Sequence, residues 1–438
     1  QPTVNAMCFR HDEDALAAAR AAEARYAGRG GEPRPLEGLP VAVKDEEPVA
    51  GRPLTSGSLV YADEVSDHDS PVARRIREAG GIMHARTTTP EFCCAGFTHS
   101  RLWGVTRNPW NPEFAAGGSS GGSGAALASG TTPLATGSDI GGSIRIPASF
   151  CGVVGFKAPS GRNAQDPPFN LDTYCHVGAL ARTVADTALL QNVLAGPDHA
   201  AAVSLRPKVT IPRYLEGIDD LRVALSLDLG DWPVDPEVRA STLAAAEALR
   251  AAGATVEEVD LQMPRADVMR AMAIHFHHGF AAYVSELAVE HAHEMTAYAL
   301  DFPRWCAELA AGGSVLDGWE IEARLQAALG AVLDRHDVLL CPTIGTTGLI
   351  AGEDYVERAV EVDGQVMATH IESMLTPPFN VASRCPVLAL PSGVASNGVP
   401  TGVQVVGRTY DDVTVFRAGA ALERERPWQR VAPPQVVA

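Results

Sequence analysis

Hydrophobic and polar positions along this chain follow two rhythms. Residues 13–27 (EDALAAARAAEARYA) space their charges as a helix does, and GRGGEPRPLEGLP then breaks the pattern. The apolar run Val41-Ala42-Val43 follows as a buried strand that ends at Lys44. Residues 71–79 read as a helix and Gly81 to Ala85 as a strand. From about 205 to 375, long Ala/Leu/Glu/Arg segments at 235–253, 264–312 and 317–336 predict a mainly helical block. The apolar runs Val338 to Leu340, Val387 to Leu390 and Val403 to Val406 return the chain to strands, and 411–425 closes with a helix. Helices alternating with short apolar strands define an α/β protein. No internal repeat is visible, the length suits one large α/β domain or two ordinary ones, and the helical block is expected to cover a site built by the two ends.

Composition narrows the function classes. At 438 residues and 46% hydrophobic content, the chain can fill a substantial core. A formal net charge of −18 lacks the basic footprint of a nucleic-acid or anionic-membrane binder. The expected partner is a small, non-acidic substrate, with no nucleic acid and no membrane, and the protein is expected to be a monomer or homodimer. Eight cysteines, at 8, 93, 94, 151, 175, 306, 341 and 385, include no CxxC pair and predict reduced thiols. No stretch reads as a signal peptide and no apolar run approaches the roughly 20 residues needed to span a bilayer, so a cytoplasmic location is expected. Among 35 basic residues, only Lys44, Lys157 and Lys208 are lysines. A lysine kept in an Arg-rich background points to work Arg cannot do, since a buried lysine can lose its proton.

Between 115 and 163 the chain turns abruptly to Gly, Ser and other small residues. In Gly117-Gly118-Ser119-Ser120-Gly121-Gly122-Ser123-Gly124, running into Ala125-Ala126-Leu127-Ala128, the glycines admit a close ligand. The helix that follows offers N–H groups to a phosphate or an oxyanion. By composition alone the same stretch also reads as a flexible linker. Beyond it, Gly137-Ser138-Asp139-Ile140-Gly141-Gly142-Ser143-Ile144-Arg145-Ile146-Pro147 forms a second small-residue turn. Consecutive N–H groups from Ile140, Gly141, Gly142 and Ser143 can converge there on a developing oxyanion. Ser143 would carry both the attacking oxygen and one donor. A serine nucleophile needs a base, and none of the 13 histidines lies in these motifs. Lys44, delivered inward by an apolar strand, is the other answer, provided that burial lowers its pKa enough to leave a neutral amine. Against this stands an ordinary surface or salt-bridged lysine.

These stretches resemble the amidase signature family. The matches run through nearly the whole chain: GLPVAVKD at 38–45, TSGS at 55–58, TTTPEF at 87–92, TRNPWNP at 106–112, GGSSGGSGAA at 117–126, GSDIGGSIRIPASFCGVVGFK at 137–157, PFNVASRCPVLALPSG at 378–393 and GVPTGVQVVG at 398–407. The resemblance implies a single large α/β domain over 1–438, with a mixed twisted sheet covered by helices on both sides. It implies a Ser-cisSer-Lys set in which Lys44 is the base, Ser119 the proton bridge after a cis peptide, and Ser143 the nucleophile. It also implies an oxyanion hole at Ile140, Gly141, Gly142 and Ser143, with Ser120, Asp139 and Arg145 supporting the loop. No metal or organic cofactor is implied. The corresponding reaction is hydrolysis of a C–N bond in a small amide, aryl amide or carbamate through an acyl-enzyme. The general character is similar to bacterial aryl-amidase and urethanase members, while the glutaminase subunit of a tRNA amidotransferase, which works with protein partners, is the alternative within the family. One departure stands out. Many members carry Asn after the Lys-Asp pair, whereas Glu46-Glu47 follows here, so either these carboxylates face away from Lys44 or the pH optimum lies high.

Other signals are weaker. His275, His277, His278, His291 and His293 crowd one segment, but the zincin pattern fails because Ala297 stands where the second histidine is needed. Helix-surface or pocket-lining positions are expected for them. Phe276, Phe280, Tyr283, Trp305 and Trp319 read as core residues, in a block expected to set substrate selectivity through a hydrophobic acyl or aryl site. Gly118 to Gly122 satisfies GxSxG, which raises an α/β-hydrolase esterase as a rival. That motif needs a strand immediately before the turn, where Asn108-Pro109-Trp110-Asn111-Pro112 stands instead. A phosphate-binding module is the other rival, without the Gly-Lys-Ser/Thr ending of a P-loop.

Overall fold

The computed structural model describes residues 3–199, 201–430 and 433. Eleven strands share one sheet: β1 (Met7–Arg10), β2 (Pro40–Lys44), β3 (Ile82–Thr87), β4 (Leu134–Asp139), β5 (Val154–Lys157), β6 (His176–Ala181), β7 (Arg222–Leu225), β8 (Thr255–Glu258), β9 (Val338–Pro342), β10 (Val387–Val394) and β11 (Pro400–Gly407). Their spatial order is β1-β3-β2-β4-β6-β5-β10-β11-β9-β7-β8. The sheet is mixed: β2 runs parallel to both β3 and β4, whereas β4, β6, β5, β10, β11 and β9 are successively antiparallel.

Helices cover both faces, and the period-two alternation of the strands divides their side chains between two layers. Leu388 and Leu390 of β10 join Val338 and Leu340 of β9 in a cluster with Val415, Phe416, Ala245 and Leu249, from helices Asp412–Glu425 and Pro236–Ala251. Val387 of β10 and Leu339 and Cys341 of β9 face the other way, into the core shared with the helices Arg265–His277, Phe280–His291, Ala297–Ala310 and Val315–Leu333. Ala389 packs with the short helices Gly121–Ala128 and Arg145–Cys151 on that same opposite side. Among the described residues no helix is long and apolar enough to cross a membrane.

Three sequence expectations change. The segment 264–312 is three helices, broken near Gly279 and again before Ala297. The block from 205 to 375 also carries sheet strands, because β7, helix Pro236–Ala251 and β8 form a parallel unit on the far edge. Inside the small-residue stretch, Leu134–Asp139 is a wholly buried strand.

Candidate active site

Parallel neighbours β2 and β4 both end at one edge of the sheet, and their last residues build the site. Lys44 closes β2 with its side chain 1% exposed. Its backbone N–H donates to Thr136 Oγ1 of β4 at 3.1 Å. Its Nζ lies 2.7 Å from both Ser119 Oγ and Ser138 Oγ, and 3.0 Å from Glu46 Oε1. Ser119 enters on the Gly-Ser loop, where the Gly118–Ser119 peptide is cis. A Cβ on Gly118 would meet Phe97 O at 2.3 Å, so this approach of two backbones requires glycine.

Ser143 follows β4 through a turn organised by Asp139. Its carboxylate accepts the Gly142 N–H at 2.8 Å and the Ile144 N–H at 3.3 Å, and Arg145 grips both oxygens at 2.8 and 2.9 Å. Burial opposes ionisation of Asp139, but Arg145 and Asn380 override it and hold the carboxyl well below the usual range. Arg145 Nη1 also donates to Thr376 O and Gln404 Oε1, both at 2.8 Å, and Nη2 to Asn380 Oδ1 at 2.7 Å. Thr376 Oγ1 donates to Gly141 O at 2.7 Å. Ser120 ties the two serine loops together, its N–H donating to Ser143 O at 3.1 Å and its Oγ to Ser138 O at 3.3 Å.

This geometry corrects one expectation. Of the four amides from Ile140 to Ser143, that of Gly142 is committed to Asp139. Those of Ile140, Gly141 and Ser143 have no protein acceptor among the described residues. Thr376, Asn380, Gln404 and Ser138 do not stand out in the sequence as site residues, although three of them fall within family-like blocks: Asn380 in PFNVASRCPVLALPSG, Gln404 in GVPTGVQVVG and Ser138 in GSDIGGS.

Glu46 and Glu47 part ways. Glu46 turns into the site, and its second oxygen accepts from Cys93 Sγ at 2.6 Å. The Glu47 backbone carbonyl accepts from Arg86 at 2.6 Å, and its carboxyl, hydrogen-bonded with Ser70, is pushed up to about 7 by burial. Burial works to lower the Lys44 pKa and the Glu46 carboxylate in contact with it works to raise it, whereas Cys93, itself pushed up to about 12, raises it only as a thiolate. Glu46 is correspondingly lowered by Lys44 despite its own burial.

Two cavities meet here. One opens on Ser143, Ile140 and Gly141 beneath Phe276, Phe302 and Trp305. The other reaches Ser119, Ser138 and Glu46 beneath Phe169 and Tyr283. Cys93, Ile140 and Phe280 border both. His370 in the first wall accepts the Gly96 N–H through Nε2 at 3.1 Å, and burial lowers its pKa to about 4, leaving it neutral. Of the aromatics expected in the core, Phe276, Phe280, Tyr283 and Trp305 thus also line cavities, whereas Trp319 is 62% exposed. His275 stacks on Tyr174 and lies 2.7 Å from Asp172, while His291 and His293 both face Glu294.

A helix-wrapped mixed sheet, with a buried lysine–serine contact at one edge and an Asp-braced glycine turn beside it, defines an α/β protein with a lysine–serine site. The family model described as Amidase matches residues 1–416, and the chain belongs to this amidase signature family of C–N hydrolases. It is similar to the acylamidase of Rhodococcus erythropolis, 33% identical over 98% of this chain and 89% of that protein. It is also similar to a glutamyl-tRNA(Gln) amidotransferase component from Thermosynechococcus vestitus, 32% identical over 99% of this chain and 93% of that one. A solved bacterial aryl acylamidase of the amidase signature family superposes with a TM-score of 0.91 at 28% identity, covering 98% of this chain and 90% of its own.

Proposed function

We propose that this protein is a free-standing amidase that hydrolyses small aryl amides or carbamates, with Lys44 as base, Ser119 as proton bridge and Ser143 as nucleophile. In this reading neutral Lys44 takes the Ser119 proton while Ser119 takes that of Ser143, whose Oγ attacks the carbonyl. The amides of Ile140, Gly141 and Ser143 hold the oxyanion. The relay then runs backwards to protonate the leaving nitrogen, and water repeats the cycle on the acyl-enzyme.

The observation that carries the substrate class is the lining of the cavity at Ser143. Phe276, Phe280, Phe302, Trp305 and Tyr355 line it, and among its described residues there is no Lys or Arg. A flat apolar group suits such walls. Glutamine would bring an α-carboxylate that no Lys or Arg among the described lining residues pairs; Asp301 and Asp354 in the lining suit only its ammonium. The amidotransferase reading is favoured by the 32% identity to the Thermosynechococcus vestitus protein, and the same experiment separates the two.

That experiment is hydrolysis of a 4-nitroanilide, an aryl carbamate and glutamine by wild type, Ser143→Ala and Lys44→Ala. Wild type is expected to cleave the anilide or the carbamate, and each variant to lose at least roughly 10²-fold, the contribution of a positioned base. Activity on glutamine alone would favour the amidotransferase reading. Full activity in both variants would remove the proposed catalytic set.

A further inference from the structure

Glu46 stands in the site without a part in that mechanism. Lys44 Nζ has three acceptors around it, Ser119 Oγ and Ser138 Oγ at 2.7 Å and Glu46 Oε1 at 3.0 Å. As an ammonium it can donate one N–H to each. As a neutral amine it keeps two N–H groups and one lone pair. An ionised carboxylate can only accept, so Glu46 claims an N–H in either state. With Ser138 taking the second, the lone pair is left facing Ser119, where a proton must arrive. The Cys93 thiol, donating to the other carboxylate oxygen at 2.6 Å, keeps the Glu46 head group from turning away.

We infer that Glu46 is a positioning residue: it aims the Lys44 lone pair at Ser119, and its charge delays loss of the Lys44 proton, so that the site gains activity toward alkaline pH. This rests on Lys44 being the base.

The other groups facing Lys44 do not supply that charge. Cys93, on the turn Glu91–Cys93, is pushed up to about 12 by burial and by Glu46, and stays a neutral thiol. Cys175, ahead of β6, is raised by burial and is also neutral. Asp45 turns to Thr55 and lies 3.8 Å from Arg86, while the Glu47 carboxyl, raised to about 7 by burial, hydrogen-bonds with Ser70. Glu46 is therefore the anion in contact with Nζ. A base held in its protonated form shifts the rising limb of kcat/KM to higher pH, since the limb reports the free enzyme's base.

The test is the pH profile of kcat/KM on a 4-nitroanilide for wild type, Glu46→Gln, Glu46→Asp and Lys44→Ala. Wild type is expected to be still rising between about pH 8 and about pH 9.5. Glu46→Gln is expected to move the limb down by roughly one unit or more, a factor of about ten at a fixed pH on that limb. Glu46→Asp, which keeps the charge, is expected to leave the limb high. A Glu46→Gln limb that overlays wild type, with Lys44→Ala inactive, would overturn the role of Glu46 alone. Lys44→Ala as active as wild type would instead remove the base assignment beneath it. If Glu46→Gln does not fold, a wild-type profile already flat from about neutral pH overturns the inference.

Discussion

Two adjacent glutamates illustrate how position decides chemistry at the residue scale. Glu46 meets an ammonium and ionises more readily, whereas Glu47, 6% exposed, is raised from its ordinary 4.5 to about 7 by burial. A carboxyl raised in the folded state keeps its proton between about 4.5 and about 7, where the unfolded chain has lost it, so stability falls as pH rises through that window. Above it the folded protein carries a standing penalty on the order of 3 kcal/mol, at about 1.4 kcal/mol per unit. Glu47→Gln is therefore expected to raise the unfolding free energy by about 1–3 kcal/mol at pH 8 and to gain little near pH 4.5. Denaturant titrations at the two pH values measure this, and equal effects at both would contradict the burial argument.

At the scale of elements, the unit that matters is β4, its turn and the helix Arg145–Cys151. The Asp139–Arg145 pair inside it is wholly buried. Replacing Arg145 by Met leaves the carboxylate without its charge partner, a loss that typically costs about 3–5 kcal/mol. Asn380→Ala removes one hydrogen-bonding side chain from the same carboxylate and is expected to cost less, about 1–3 kcal/mol. Chemical denaturation of the two variants checks both the sizes and their order. The turn itself was legible in the sequence because GSDIGGSIRIP announces a glycine turn with a serine at its end. Its braces were not, since Asn380 and Gln404 reach it from 241 and 259 residues away and no local spacing encodes such a contact. The strands show the same limit. Apolar Val41 to Val43 announces β2, but β4 carries small residues because helices press closely on it: a Cβ on Gly137 would lie 2.7 Å from Ser120 Oγ. β8, Thr-Val-Glu-Glu, is an edge strand with mostly exposed side chains and so has no apolar stripe to read.

Across the whole molecule, the helical block is fastened to the layer that carries Lys44 and Ser119 through Glu91. Its buried carboxylate accepts from Ser58 Oγ at 2.7 Å on one side, and from the Thr296 N–H and Oγ1 at 2.6 Å on the other. Tyr298 OH adds a bond to His99 O at 2.6 Å. Glu91→Ala leaves those buried donors unmatched, a penalty of about 1–3 kcal/mol each at most. It is expected to raise KM for a bulky anilide more than it lowers kcat, because the block carries Phe302 and Trp305 over the cavity. Steady-state kinetics on a bulky and a small amide distinguish this from general unfolding, which would lower the active fraction for both alike. The sheet order also bears on how the molecule comes into being. Lys44, Ser119 and Ser143 belong to the first third of the chain, yet β10 and β11 lie between β5 and β9, and Thr376, Asn380 and Gln404 complete the turn. A polypeptide emerging from the ribosome thus carries the lysine and both serines long before the residues that brace the turn, and under the proposed catalytic set a nascent chain is expected to stay inert until its last strands slot into the middle of the sheet.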